Sequence, residues 1–299
     1  MKLINSSFEI LEQSPGIQGV KKQIEIAGRT CYKSEDKITD TSCEEFVSRM
    51  INSGHGAMLE HGTVYLKIYA EKKEKLTTEH DSARHISWQE SKTVYKYLDD
   101  KYLNNKYSTV TRVDHRKQCD IWYPCSYITT NYRVLVENGW LDDLQYLCEP
   151  TEYHEKRITV KFICDRGVSH EFVRHRVSSF AQESTRYCNY SKDKFGNEIT
   201  CILPPWELDG SYLEFEEDLK VLESIYFKWL KKGWKAQEAR YFLPTGVKTE
   251  LVMTGFISDW KHFFKLRCHS TAHPQARELA IPLQEEFIKR GYYEMERSN

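Results

Sequence analysis

Neither sign of charge is in excess along this chain: 43 Lys and Arg face 44 Asp and Glu, a net charge of −1. That balance argues against a nucleic-acid binder held by its overall field, while leaving room for a local basic pocket. No segment of the 299 residues approaches the apolar length of a membrane span, and the opening MKLINSSFEILEQ holds no run long enough for a secretory signal. A soluble, cytoplasmic protein without a membrane partner is expected. The nine cysteines (31, 43, 119, 125, 148, 164, 188, 201, 268) are scattered, odd in number and form no CxxC pair. Reduced thiols are therefore expected, and a structural zinc site is not. GxGxxG and GxxxxGK(S/T) loops are also missing, so any nucleotide would be held in a less common way. There is no internal repeat and no clear linker.

What the chain does have is aromatic surface, 13% of its residues with 19 Tyr and 7 Trp, which suits flat ligands as well as cores. A short strand and a helix from near Pro15, with Val20, Ile24 and Ala27 on one face, open the chain. Ser42 and Glu45 read as a capping box for a helix ending near Gly54. Residues 63–69 alternate as a half-buried strand, and 157–164 alternate again with Ile158, Val160, Phe162 and Cys164 on one face. Between them, 71–127 is polar and weakly patterned and is expected to be a peripheral insertion. Thr130-Asn131 precedes a helical pattern from Val134 to Leu147 that is interrupted at Gly139. A helix is expected to start near Ser169, a loop to fill 191–210, and a long helix to run from about Glu214 to Lys232. Residues 249–256 have strand composition, Ser258 is placed to cap a helix reaching Arg267, and Pro274 suits the first turn of a last helix ending at Gly291. The expected fold is α+β: a single domain over 1–299, with a mixed or antiparallel sheet packed by helices and 71–127 inserted.

The densest chemistry lies in residues 174–187, RHRVSSFAQESTRY. Arg174, His175 and Arg176 precede Ser184, Arg186 and Tyr187, and guanidinium forks match phosphates and planar oxyanions. Residues two apart on a helix point roughly 200° from each other, so Arg174 and Arg176 grip one small anion only if the helix ends there. A solvated basic helix end, part-balanced by Glu183, is the bland alternative. Further Arg and His residues sit at His55, His61, Arg240, Arg267, His269 and His273, a profile that fits a nucleotide or flavin better than a metal. His55, Glu60 and His61 have no helix-face HExxH spacing, so no metal is expected. Tyr123-Pro124-Cys125-Ser126 resembles the Pro-Cys context of the cysteine nucleophile in the cofactor-free thymidylate synthases, but the His that follows that Cys is absent, and Cys125 reads as structural.

RHR followed after seven residues by Ser, and continuing as SFAQESTRY, resembles the signature of the flavin-dependent thymidylate synthases. Gly54-His55 with Glu60-His61 is similar to that family's GHxxxxEH element. Ala239-Arg240 with Leu243-Pro244 is similar to its ARxxLP element, and Leu266-Arg267 with His273 and Gln275 to its closing LR and HxQ element. The resemblance runs in family order from about residue 27 to 285. It implies reductive methylation of dUMP to dTMP, with methylene-tetrahydrofolate as carbon donor and NADPH-reduced FAD as hydride source, in a homotetramer whose active sites are shared between subunits. It implies dUMP on Glu171, Arg174, Gln182, Glu183, Ser184, Thr185, Arg186, Arg240 from a neighbouring subunit, and Arg267. It implies FAD on His55, Arg174, His175, Arg176, Gln182, Ser258, His262 and His273. Arg267 against the uracil is the expected catalytic group, since C5 becomes nucleophilic when charge moving onto the ring oxygens is stabilised. The chain departs from the family at Ala57, often Ser or Thr there, and at Phe256 and His262, where some members have Asn. A basic, aromatic-rich RNA-binding module is the alternative from another class; the net charge and the lack of an RNA-binding signature weigh against it.

Overall fold

The computed structural model describes residues 1–81, 86–116 and 122–294. In chain order the elements are β1 (Lys2–Ile4), β2 (Ser7–Leu11), α1 (Gly16–Tyr32), α2 (Ser42–Asn52), α3 (Gly56–Leu59), β3 (Thr63–Tyr69), β4 (Glu71–Asp81) and β5 (Ile86–Lys96). Next come α4 (Asp100–Leu103), β6 (Thr109–Arg116), β7 (Trp122–Asn131), α5 (Tyr132–Asn138), β8 (Arg157–Asp165), α6 (Arg166–Phe172), β9 (Ser179–Gln182) and β10 (Thr200–Ile202). The chain closes with α7 (Tyr212–Lys231), α8 (Ala236–Ala239), β11 (Lys248–Phe256), α9 (Ile257–Arg267) and α10 (Pro274–Lys289). By internal packing it divides into two compact units: Met1–Ser14, Gln18–Gly62 and Arg157–Asn299 form the first, Pro15–Ile17 and Thr63–Lys156 the second.

The first unit is built on an antiparallel sheet of order β2-β8-β11-β9. Alternation on β8 sends Ile158, Val160, Phe162 and Cys164 to one face. There they meet Leu251 and Met253 of β11, Phe172 of α6, Trp260, Phe263 and Phe264 of α9, and Leu279, Leu283 and Phe287 of α10. The opposite face packs Val252 and Ala181 against Ala27 of α1. β11 is thus covered on both sides, and eight of its nine residues are buried, which explains a strand signal without alternation. A separate cluster gathers Tyr190, Ile199, Cys201 and Val247 around Leu219 and Tyr226 of α7, beside the parallel pair β1-β10. The α+β expectation with an antiparallel sheet packed by helices is met.

The second unit holds the antiparallel sheet β3-β7-β6 and the antiparallel pair β4-β5. Val64, Leu66 and Ile68 of β3 are buried as the alternation requires. Asn131 caps α5, its side chain accepting from the Val134 amide at 3.1 Å, and Gly139 closes that helix at φ +69°, the left-handed conformation glycine tolerates. Cys125 is fully buried on β7 and burial raises its thiol, which suits a structural thiol. The stretch 71–127 lies within this unit as β4, β5, α4, β6 and part of β7.

Several expected boundaries move. Thr41, not Ser42, precedes α2, because the Ser42 hydroxyl donates to Glu25 at 2.9 Å. Helix α6 begins at Arg166, three residues before Ser169, because Asp165 caps it by accepting from the Val168 amide at 2.8 Å. Phe256, not Ser258, precedes α9, where the Asp259 carboxylate accepts from the Phe256 amide at 3.0 Å. The expected loop 191–210 contains β10 and a 3-10 turn at Asp193–Phe195.

Candidate active site

Strand β8 hands the chain to α6, and α6 stops at Phe172, so Arg174, His175 and Arg176 lie past its end. Freed from helical spacing, Arg174 and Arg176 are both exposed while His175 between them is buried. Among the described residues no side-chain hydrogen bond or ion pair holds either guanidinium. The His175 ring sits against Phe263 (4.9 Å) and His262 (5.8 Å) of α9.

Arg267, at the end of α9, ties this segment together. Its Nε donates to His175 Nε2 at 2.9 Å, Nη2 donates to the Glu171 carbonyl at 2.8 Å, and Nη1 pairs with the Glu171 carboxylate. His175 therefore accepts at Nε2 and carries its proton on Nδ1. Burial, then the neighbouring Arg267 and His262, lower it to about 4, so the ring is neutral near pH 7. Its Nδ1 is buried with no hydrogen-bond partner among the described residues. In sequence this buried donor is flanked by two exposed guanidinium groups whose N–H donors an acceptor-rich ligand could use.

Beyond β9 the loop 183–188 folds back on α1. The Ser184 amide donates to the Cys31 carbonyl at 3.0 Å, and the Cys188 amide donates to the Ser184 carbonyl at 2.9 Å. Ser184 Oγ accepts from the Arg186 amide at 3.4 Å, and among the described residues no base is bonded to it. Thr185 is buried and its hydroxyl accepts from Arg240 Nη1 at 3.4 Å within the same chain. Arg186 is exposed over the Tyr187 ring, which itself lies 5.3 Å from Tyr32. Gln182 spends its amide inside the protein, on Ser169 Oγ (2.8 Å) and Thr249 Oγ1 (3.2 Å). Glu183 turns inward, its carboxylate wholly buried and paired with Lys248 at 2.8 Å.

Two cavities border these groups. One of about 720 Å³ is lined by His55, Arg29, Lys33, Lys37, Arg49 and Lys192; the Phe46 ring lies beneath Arg29 (5.1 Å) and Arg49 (5.3 Å). This hollow gathers five cations with one acid, Asp36; sequence reasoning missed it, although Arg29 and Lys33 stand four residues apart at the end of α1. The other, about 440 Å³, takes in Asp165, Glu171, Trp206, Pro244, His273 and Gln275, with His273 edge-on to Trp206 at 6.1 Å. Its Asp165 carboxyl is raised by burial. Thus Glu171, His175, His262 and Arg267 come together, as do Thr185 and Arg240, while Ser258 is exposed on the first turn of α9. His55 is exposed but His61 is buried, donating to or accepting from Thr254 at 2.8 Å and lowered to about 3 by burial and then Arg157. Among the described residues no group of three or more His, Cys, Asp or Glu is arranged to hold a metal, and no helix is long and apolar enough to cross a membrane.

Motif order and this convergence define a class. The chain belongs to the thymidylate synthase complementing protein family, whose sequence model matches residues 11–148 and 149–290. Among its relatives, the flavin-dependent thymidylate synthase of Pyrococcus furiosus is 34% identical over 130 residues, covering 42% of this chain and 52% of its own length. The Pyrococcus horikoshii enzyme of the same name is 36% identical over 129 residues, with the same shares covered. The matched part therefore spans about half the length of these relatives. A UMP/dUMP methylase from Streptomyces cacaoi solved with 5-bromo-dUMP superposes at a TM-score of 0.41 and 14% identity, over 97% of this chain and 93% of its own, a likeness too weak to bear on fold or function. The RNA-binding alternative finds no support among these matches.

Proposed function

We propose that this protein is a flavin-dependent thymidylate synthase that methylates dUMP at C5, taking carbon from methylene-tetrahydrofolate and reducing power from NADPH through bound FAD. The observation that carries the reading is the knot of Arg267, Glu171 and His175, which joins the closing LR element to the RHR element. A guanidinium has five N–H donors, and three here are engaged within the protein. The remaining two are held in a fixed frame, the preorganisation that stabilises charge building on uracil oxygens while C5 turns nucleophilic. Ser184 acts as a ligand to substrate, because a hydroxyl without an adjacent base is a poor nucleophile. The dUMP site would draw on Glu171, Arg174, Gln182, Ser184, Thr185, Arg186 and Arg240, with Glu183 contributing through its backbone.

The flavin fits the residues present: the exposed Arg174 and Arg176, and the cavity at His55, where Lys37, Arg49 and Lys192 make no ion pair among the described residues, call for an acceptor-rich, anionic group. His55, Arg174, His175, Arg176, Gln182, Ser258, His262 and His273 would hold it. When bound, FAD supplies the hydride, and the protein positions it. Assembly as a homotetramer with shared active sites, with Arg240 serving a neighbouring site as well as Thr185, belongs to the same reading. So does a cytoplasmic location, which the free cysteines support. The absorption spectrum of freshly purified protein tests the proposal: a flavin band near the visible, released by denaturation, is expected. A protein that neither carries FAD nor takes it up on titration overturns it.

A further inference from the structure

Behind the loop that follows β9 lies a buried ion cluster, none of whose lysines the motif comparison marks. Glu183 Oε2 accepts from Lys248 Nζ at 2.8 Å, and the same ammonium donates to Glu250 Oε1 at 2.9 Å. Glu250 also takes Lys33 at 2.6 Å and Lys161 at 2.6 Å, and Lys33 reaches Glu35 at 3.1 Å. Three lysines thus balance three carboxylates. The side chain of Glu183 is fully buried and that of Glu250 nearly so. Burial alone would raise the Glu250 carboxyl, but Lys248, Lys161 and Lys33 hold it well below the usual carboxylate range.

The partners are unequal. Glu250 has three cations, whereas Glu183 has Lys248 alone: its Oε1 is buried with no hydrogen-bond partner among the described residues. A carboxylate kept from water by a single ammonium cannot stay in place once that ammonium is gone, since an uncompensated buried charge is far costlier than an exposed one. Glu183 is also the first residue of the loop. Its amide donates to the Glu250 carbonyl at 2.8 Å, and the next amide, of Ser184, donates to Cys31. At the other end, Lys33 lines the five-cation cavity.

We propose that Lys248 is a positioning residue for substrate binding: through Glu183 it holds the Ser184–Arg186 loop in the geometry that receives dUMP. This rests on the functional reading above, and it assigns a role to a residue outside every motif of the family resemblance. Lys248 touches no substrate; it acts by keeping one acidic side chain inside the fold. The Lys33–Glu250–Lys248–Glu183 chain also ties the loop to the wall of the basic cavity, so both ends of the site share one scaffold.

The test compares wild type, Lys248→Met and the double variant Glu183→Gln/Lys248→Met by two readouts. Amide hydrogen exchange needs no ligand. Ser184 and Cys188 should exchange at least about tenfold faster in Lys248→Met and return towards wild type in the double variant, where no buried charge is left unpaired. The second readout is the KM for dUMP, expected to rise about tenfold or more in Lys248→Met with kcat within about twofold, and to recover in the double variant. Slow exchange at Ser184 in Lys248→Met, or no recovery in the double variant, overturns the proposal. If Lys248→Met does not fold, the double variant decides alone: folded with a near-wild-type loop upholds the link, and unfolded or loop-exposed refutes it. Wild-type protein that binds no dUMP would sink the functional reading, while the exchange rates would still judge the role of Lys248.

Discussion

Arg267 donates from three nitrogens to Glu171 and His175, and that bidentate geometry is what lysine cannot copy. Arg267→Lys should therefore lower kcat for dTMP formation by about 10²-fold or more while the protein keeps its flavin, read by absorbance and steady-state rates. Loss of flavin with the catalytic step intact would instead assign Arg267 to the cofactor. Ser184→Cys should keep most of its activity, because the side chain at this position binds rather than attacks; a fully inactive variant with intact dUMP binding would revive a nucleophilic role. The inward turn of Glu183 belongs to this scale as well. Within RHRVSSFAQESTRY a carboxylate reads as a surface counter-ion, and the Lys248 that buries it lies 65 residues further on.

At the scale of elements, strands β3 and β8 were legible because one face of each is apolar and fully buried while the other carries polar residues such as Lys67, Thr159 and Lys161, so period-two alternation survives in the sequence even though both faces of β8 are largely covered. The buried strand β11 was legible by composition alone. β4 and β5 were not, because EKKEKLTTEHD carries no apolar face and the pair is held through its backbone ladder. Two helix starts were misread where a carboxylate serves the first turn: Asp165 caps α6 three residues before Ser169, and in α9 Asp259 reaches back to the amide of Phe256, which leaves Ser258 inside the first turn. The family elements brought out His55, Glu171, Arg240 and Arg267, but the five-cation cavity is a property of packed helices. That packing is close. A Cβ on Gly28 of α1 would stand 2.4 Å from the Phe46 ring of α2, so Gly28→Ala must displace the ring that underlies Arg29 and Arg49. Destabilisation by roughly 1–3 kcal/mol, with weaker FAD binding, is expected from denaturant melts and flavin titration. Unchanged affinity would detach this cavity from the cofactor.

For the whole molecule, the near-zero net charge hides groups whose ionisation is fixed by the fold. His61 and His175 are buried neutral, lowered from 6.5 to about 3 and about 4. Because the unfolded chain takes up these protons first, their contribution is complete above pH 6.5 and is lost as pH falls towards 4 and then 3. Glu250, depressed by its lysines, adds a loss in the acid range below 4.5. Stability measured by urea unfolding should therefore fall by on the order of a few kcal/mol between pH 7 and pH 4.5, and His175→Phe should flatten part of that slope. A pH-independent urea midpoint would contradict the neutral, Arg267-bonded state of His175.

The most direct test of the account is dTMP formation by the purified protein given dUMP, methylene-tetrahydrofolate, NADPH and FAD. The account predicts dTMP that disappears when either NADPH or the flavin is withheld. No dTMP from flavin-loaded protein, or dTMP made equally well without flavin, would contradict it.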